Sequence, residues 1–318
     1  MSFSSIAFAA LLVAQTPVAQ APAQAPATAS GVASQVPATE VINQDGLVAE
    51  YFAGQGAQVS SGAVIVLGGS EGGLRGSRNL ARRLASEGLP AIAVSYFGEP
   101  GQPTRLDLIP IENVERAFNW LSARPDVQGK IAVVGVSKGA ELALITASRN
   151  PKIAAVVAGV PSNVVWQGID QTGAATGSSW TANGVPLTYA PYDMSHGFTS
   201  VFDLYEDSLP AAPADSQIPV ERIAGPILLV SGRADSMWPS SEMADRIAQR
   251  LVSHGFTHAV QNLSYPDAGH AVFGAPVRAD TPGIQGATYL GGTVDGLVAA
   301  RADSWPRVIT FLREALED

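Results

Sequence analysis

The sequence predicts an α/β architecture, a mostly parallel central sheet flanked by helices with one lid-like insertion. Three observations point there. From residue 46 onward, short runs of β-branched and aliphatic residues alternate with longer stretches of helical periodicity, as in strand–helix–strand units. Most of the strand runs are continuously apolar, as parallel strands covered on both faces are. Residues 161–222 are rich in Gly, Ser, Thr and Pro and break this rhythm while lying inside the strand order. They read as an insertion over the carboxyl ends of the strands rather than as a second domain.

The strand runs are Leu47–Phe52, Ala63–Leu67, Ala91–Ser95, Ile131–Val136, Ile153–Val160, Ile227–Ser231 and Ala259–Tyr265. Helices are expected over Arg78–Glu87, Ile111–Arg124, Lys138–Arg149, Ser240–Ser253 and Ser304–Glu317. In the last of these, Trp305, Val308, Ile309, Phe311, Leu312 and Leu316 approximate one apolar stripe. Ahead of residue 46 the chain is different: the first charged side chain is Glu40, and Ile6 to Ala14 form a short apolar run followed by Ala-x-Ala steps. That run is too short for a membrane span, which needs ~20 residues, and fits the apolar region of a signal peptide. Residues 1–23 are therefore expected to be cleaved after Ala21-Pro22-Ala23, leaving an Ala/Pro-rich disordered linker over 24–45. A periplasmic or secreted protein follows, with a cytoplasmic one as the alternative.

Composition narrows the function. With 318 residues, 46% of them hydrophobic, the chain buries a large core, and the motif spacing below assigns 46–318 to a single catalytic domain. The formal charge is −9, and lysine occurs only at 130, 138 and 152, which argues against a nucleic-acid binder that tracks phosphates. The complete absence of cysteine excludes disulfides, thiolate metal sites and a cysteine nucleophile. Any nucleophile is an oxygen or an amine.

Gly135-Val136-Ser137-Lys138-Gly139 is a G-x-S-x-G that follows the strand IAVVG and opens the helix KGAELALITASR. A strand that turns so sharply into a helix needs small residues on both sides of the serine, whose hydroxyl is pushed out above the sheet. Gly68-Gly69-Ser70-Glu71-Gly72 also matches the pattern, but further loop residues follow Ser70, whereas helix formers follow Ser137 at once. Ser137 is the expected nucleophile. The Gly68–Gly73 loop is better suited to an oxyanion hole, one backbone N–H coming from Lys138 and another from Gly69 or Ser70. It lacks the lysine of a nucleotide loop.

The base must come from four histidines. His254 sits at the carboxyl end of a helix, His258 enters a strand and His196 lies in the insertion. His270 follows the last expected strand, at its carboxyl end. The acid should fall between serine and histidine in chain order, and Asp235 directly follows the strand ILLVSGRA. Its competing role is that of a turn or capping aspartate before Pro239. Ser137, Asp235 and His270 in that order, at three strand ends, are far more specific than any one motif.

Six separated stretches carry a resemblance over nearly all of residues 60–318: GGSEGG (68–73), GVSKGAELAL (135–144), PLTYAPYD (186–193), ADSMW (234–238), YPDAGH (265–270) and GGTVDGLVAARADSW (291–305). The chain resembles the catalytic domain of the acyl-CoA thioester hydrolase and bile acid-CoA:amino acid N-acyltransferase family, within the α/β-hydrolase fold. The resemblance implies the same triad. Members usually carry a β-rich domain before the catalytic one, where this chain has the signal-like leader and linker. The transferase branch uses a cysteine nucleophile, so Ser137 favours water as the final acceptor. The expectation is a serine hydrolase acting on a small-molecule acyl thioester or ester, with no metal or organic cofactor and no stable membrane span. An exported carboxylesterase and an acyl transferase to an amine are the alternatives. The aromatics of the insertion, Trp166, Trp180, Tyr189 and Tyr192, either wall an acyl pocket or pin the insertion to the body.

Overall fold

A computed structural model describes residues 37–169 and 177–317. The expected signal peptide and its cleavage site lie outside them. The strands are β1 (Glu40–Gln44), β2 (Leu47–Phe52), β3 (Ala63–Leu67), β4 (Ala91–Ser95), β5 (Ile109–Pro110), β6 (Ile131–Val136), β7 (Ile153–Gly159), β8 (Trp180–Ala182), β9 (Val185–Pro186), β10 (Ile227–Gly232) and β11 (Val260–Tyr265). The helices are α1 (Arg75–Ser86), α2 (Glu112–Ser122), α3 (Lys138–Ala147), α4 (Val201–Ser208), α5 (Ser240–Ser253), α6 (Ile284–Ala287) and α7 (Val294–Leu316). Eight strands form one sheet in the order β1-β2-β4-β3-β6-β7-β10-β11, and the short β5, β8 and β9 form a second. From β4 to β11 every neighbouring pair in the large sheet is parallel, while β1 and β2 join antiparallel at one edge.

The continuous apolar runs are explained by burial on two faces. Along β3, Ala63, Ile65 and Leu67 face one core with α2, α3 and α5, while Val64 and Val66 face the other with α1 and α7. Because side chains alternate across a strand, neither face leaves a position for a polar residue. Among the described residues no helix is long and apolar enough to cross a membrane.

Three expectations are corrected. Residues 40–44 were expected within a disordered linker, but β1 pairs with β2 from Glu40 opposite Tyr51 to Gln44 opposite Leu47. Only Ile42 of β1 is buried, so a one-sided edge strand carries almost no hydrophobic signal. The last helix starts at Val294 and not Ser304, and runs through Pro306. A proline inside a helix ordinarily costs ~3 kcal/mol. Here Leu297, Ala300, Trp305, Val308 and Leu312 bury one face, and the Thr293 hydroxyl caps the Gly296 N–H at 3.0 Å. Finally, the insertion is not irregular throughout, since it contributes β8, β9 and α4.

The reversal from β6 into α3 brings the chain back on itself. A Cβ on Gly135 would overlap the backbone of Gly139, and one on Gly139 would overlap the Gly68 carbonyl oxygen and lie 2.6 Å from that of Leu67. Both positions therefore admit only glycine. Between them Ser137 is held at φ 57°, ψ −123°. Its N–H donates to the Gly159 carbonyl at 2.9 Å, and its own carbonyl accepts from Ala140 at 2.8 Å. These bonds hold a conformation that costs roughly 1–3 kcal/mol by itself.

Glu141, on α3, ties the insertion to this turn. Its carboxylate is fully buried and accepts from the Lys138 ammonium at 2.5 Å, the Trp166 backbone N–H at 2.9 Å and the Trp180 indole N–H at 2.7 Å. Lys138 also donates to Ser179 Oγ at 2.9 Å and lies 5.5 Å from the centre of the Trp180 ring. Burial pushes the Lys138 ammonium down and the Glu141 carboxyl up in pKa, and their mutual attraction opposes both shifts. Trp166 and Trp180 expose no surface, so they pin the insertion and do not line an open pocket.

Two outcomes follow from this packing. Gly139→Ala should lose at least about 2 kcal/mol of stability, because backbone carbonyls and not flexible side chains meet the new methyl. Trp180→Ala should lose about 3–5 kcal/mol. Urea unfolding midpoints measure both.

Candidate active site

Ser137 stands at the carboxyl end of β6, Asp235 just after β10 and His270 five residues after β11. The sheet brings these three together from positions 98 and 35 residues apart in sequence. His270 Nε2 lies 3.0 Å from Ser137 Oγ, and His270 Nδ1 lies 2.9 Å from Asp235 Oδ2. With Nδ1 facing a carboxylate, the ring proton belongs there, which leaves Nε2 to accept from the serine hydroxyl.

Asp235 is both partner and turn aspartate. Its Oδ1 accepts from the backbone N–H of Met237 at 2.8 Å and of Trp238 at 3.3 Å, while Oδ2 also accepts from the Ser240 hydroxyl at 2.7 Å. The carboxylate is thus oriented by three donors besides His270. The other face of the histidine ring environment is Trp238, edge-on at 5.8 Å between ring centres. Trp238 belongs to a third apolar cluster with Trp166, Tyr205 and Met243, so the insertion packs up to the site.

The loops bearing Asp235 and His270 are joined by the first residues of the stretch 291–305, which carries part of the resemblance but was assigned no role in the site. Gly291 bridges to Asp235 and Gly292 to Ala268. The Thr293 N–H donates to the Asp267 carbonyl at 2.9 Å, and the Ala234 N–H donates to the Ala268 carbonyl at 3.1 Å. A side chain on Gly291 would overlap the Ala234 carbonyl. Two adjacent glycines ahead of a capped helix are a sequence signal for such close backbone approach. Ser240 carried no comparable signal, since a serine at a helix start is ordinary.

The Gly68–Gly73 loop reaches the serine. A Cβ built on Gly69 would stand 3.2 Å from Ser137 Cβ, whereas Ser70 is exposed on the loop. Lys138 begins α3 directly after the serine, so its N–H is one of the unpaired donors of that helix's first turn. Neither Gly69, Ser70 nor Lys138 spends its backbone N–H on a protein acceptor among the described residues. In the second G-x-S-x-G the Ser70 hydroxyl is not the one that pairs with His270, which is that of Ser137. Of the other histidines, His254 lies beside the Arg250 carbonyl at 2.9 Å at the end of α5, and His196 and His258 are exposed.

Comparison with known proteins shows what the fold and the sequence are similar to. Among solved structures the fold is similar to a dienelactone hydrolase-like promiscuous phosphotriesterase from metagenomic libraries (TM-score 0.53, 17% identity, 85% of this chain and 92% of that one). It is also similar to an esterase of Pyrococcus furiosus (TM-score 0.52, 18% identity, 85% and 87%). These likenesses establish the α/β-hydrolase fold. In sequence, the chain is 29% identical over 260 residues to acyl-coenzyme A thioesterase 5 of Mus musculus, covering 80% of this chain and 60% of that protein. It is 31% identical over 264 residues to the mitochondrial acyl-coenzyme A thioesterase 2 of the same species, covering 80% and 55%. The matched region spans somewhat over half the length of these curated relatives. Residues 109–318, which hold the serine, the aspartate and the histidine together with the whole insertion, match the family described as BAAT / acyl-CoA thioester hydrolase C terminal, and the chain belongs to that family.

Proposed function

We propose that this protein is a serine hydrolase that cleaves an acyl thioester or ester through an acyl-serine intermediate. The observation that carries the reading is the continuous hydrogen-bonded line from Ser137 Oγ through His270 to Asp235. Ser137 Oγ attacks the acyl carbonyl carbon as His270 Nε2 takes its proton, and Asp235 stabilises the imidazolium that forms. The developing oxyanion is received by the Lys138 N–H and by an N–H of the 69–70 loop. Collapse of the tetrahedral intermediate breaks the bond to the leaving thiolate or alkoxide, which departs with the proton from His270. Water, deprotonated by the same nitrogen, then attacks the acyl-serine and releases the acid.

The family, and relatives named as acyl-coenzyme A thioesterases, support a thioester as substrate. The apolar run Ile6–Ala14 supports the second reading, an exported esterase that meets oxygen esters in place of acyl-CoA. The absence of cysteine supports hydrolysis over transfer to an amine.

Three measurements test these statements. Ser137→Ala should abolish turnover by ~10³-fold or more and eliminate labelling by a fluorophosphonate, while Ser70→Ala keeps both. A labelled peptide containing Ser70 in place of Ser137 overturns the assignment. A panel of acyl-CoA thioesters and p-nitrophenyl esters of matched chain length separates thioesterase from esterase by kcat/KM. Protein recovered from the periplasm or medium of its native host should begin near Gln24, and an intact amino terminus on cytoplasmic protein returns acyl-CoA as the substrate.

A further inference from the structure

Tyr96 is the first residue after β4, and it is buried against the loop that faces Ser137. Its hydroxyl lies 2.6 Å from the Gly68 carbonyl oxygen and 3.0 Å from that of Gly69. One phenol proton is thus shared between two successive peptide groups. In a planar trans peptide the N–H points away from the C=O of the same unit. Turning the carbonyls of Gly68 and Gly69 toward Tyr96 therefore turns the N–H groups of Gly69 and Ser70 to the opposite side.

That side is where donors are needed. The backbone of Gly69 sits against Ser137, as close as a 3.2 Å approach of its built Cβ to the serine Cβ, and the N–H groups of Gly69 and Ser70 have no protein acceptor among the described residues. The loop carries glycines at 68, 69, 72 and 73, so its sequence gives it little stiffness of its own. Stiffness must come from outside. The Tyr96 ring is held edge-on to Trp180, 5.5 Å between centres, and tilted against Phe97 at 5.4 Å. Trp180 is in turn fixed by Glu141.

We propose that Tyr96 is a positioning residue of the oxyanion hole, whose hydroxyl orients the Gly68 and Gly69 peptides so that the loop N–H groups face the acyl oxygen. It touches no substrate and gives up no proton. Burial, with the carboxylates of Glu71 and Glu141 nearby, raises the phenol well above its ordinary pKa, so it stays a donor across the working range. The inference rests on Ser137 as the nucleophile and deepens that reading by naming what preorganises the hole.

The test uses Tyr96→Phe in the full chain, which keeps the ring and removes the donor. Because removal of one oxyanion donor costs ~10²–10³ in kcat, loss of its alignment should lower kcat by about 10–100-fold. KM should stay within about threefold. A trifluoromethyl ketone, whose adduct with serine carries the tetrahedral alkoxide, should lose affinity in parallel with kcat/KM, whereas a substrate-like amide should not. A lowered melting temperature with kcat and ketone affinity unchanged would reduce Tyr96 to a packing residue and overturn the proposal. Should Tyr96→Phe not fold, a ring-fluorinated tyrosine incorporated at 96 retains shape and donor at neutral pH but ionises at lower pH. Its kcat should then fall over the pH range in which absorbance shows the fluorinated phenol ionising, where the wild type stays level, and a kcat that stays level through that ionisation refutes the role. Failure of the parent reading looks different, because Ser137→Ala would then keep its activity whatever Tyr96 does.

Discussion

A single buried carboxylate organises much of this molecule. Glu141 sits one helical turn after the glycine-flanked turn that carries Ser137, with no access to water, and taking a carboxylate out of water costs several kcal/mol even after relaxation. That cost is offset by an ammonium, a backbone N–H and an indole N–H, all supplied within 3 Å. Two of these donors belong to the insertion and the third to the residue that follows Ser137. Loss of any one leaves a buried charge short of partners, so the insertion and the serine turn hold their relative positions together or not at all. A segment that looks like a loose cover in sequence is built into the body of the domain.

The parallel sheet does the remaining placement. Side chains at the carboxyl ends of β6, β10 and beyond β11 converge because neighbouring parallel strands end on the same edge, whatever their separation along the chain. The close backbone approaches at Gly135, Gly139 and Gly291 then set distances that no side chain could set, since at each position a methyl group would meet a carbonyl oxygen. The geometry of Ser137, Asp235 and His270 thus rests on main-chain contact as well as on hydrogen bonding.

The sheet was legible in the sequence because its strands are buried on both faces and so read as unbroken apolar runs. The histidine-bearing loop and the acid were legible because a fixed chain order and strand-end placement leave few candidates among four histidines. Other parts left no such trace. β1 buries only Ile42, and β5, β8 and β9 are two or three residues long, too short for any period to register. Pro306 and Gly296 disguised the first half of α7, whose helicity is imposed by packing. Tyr96 reads as one more aromatic at the end of a strand, and only coordinates show where its hydroxyl goes. Likewise, residue types alone left Trp180 open between wall and pin, and the answer came from its hydrogen bond to Glu141.

The clasp at Gly291 to Thr293 bears on the order in which the parts of the site are made. The contacts that hold the serine turn come from residues no later than Trp180, among them the Gly159 carbonyl and the Trp166 and Trp180 N–H groups, whereas the Asp235 and His270 loops are bridged by residues more than twenty positions beyond His270. During synthesis an emerging chain would carry every residue of the serine turn while the loops of Asp235 and His270 still lack the residues that join them. A chain cropped before the clasp would lack the bridges that join these two loops, and with them the contacts that hold His270 opposite Ser137.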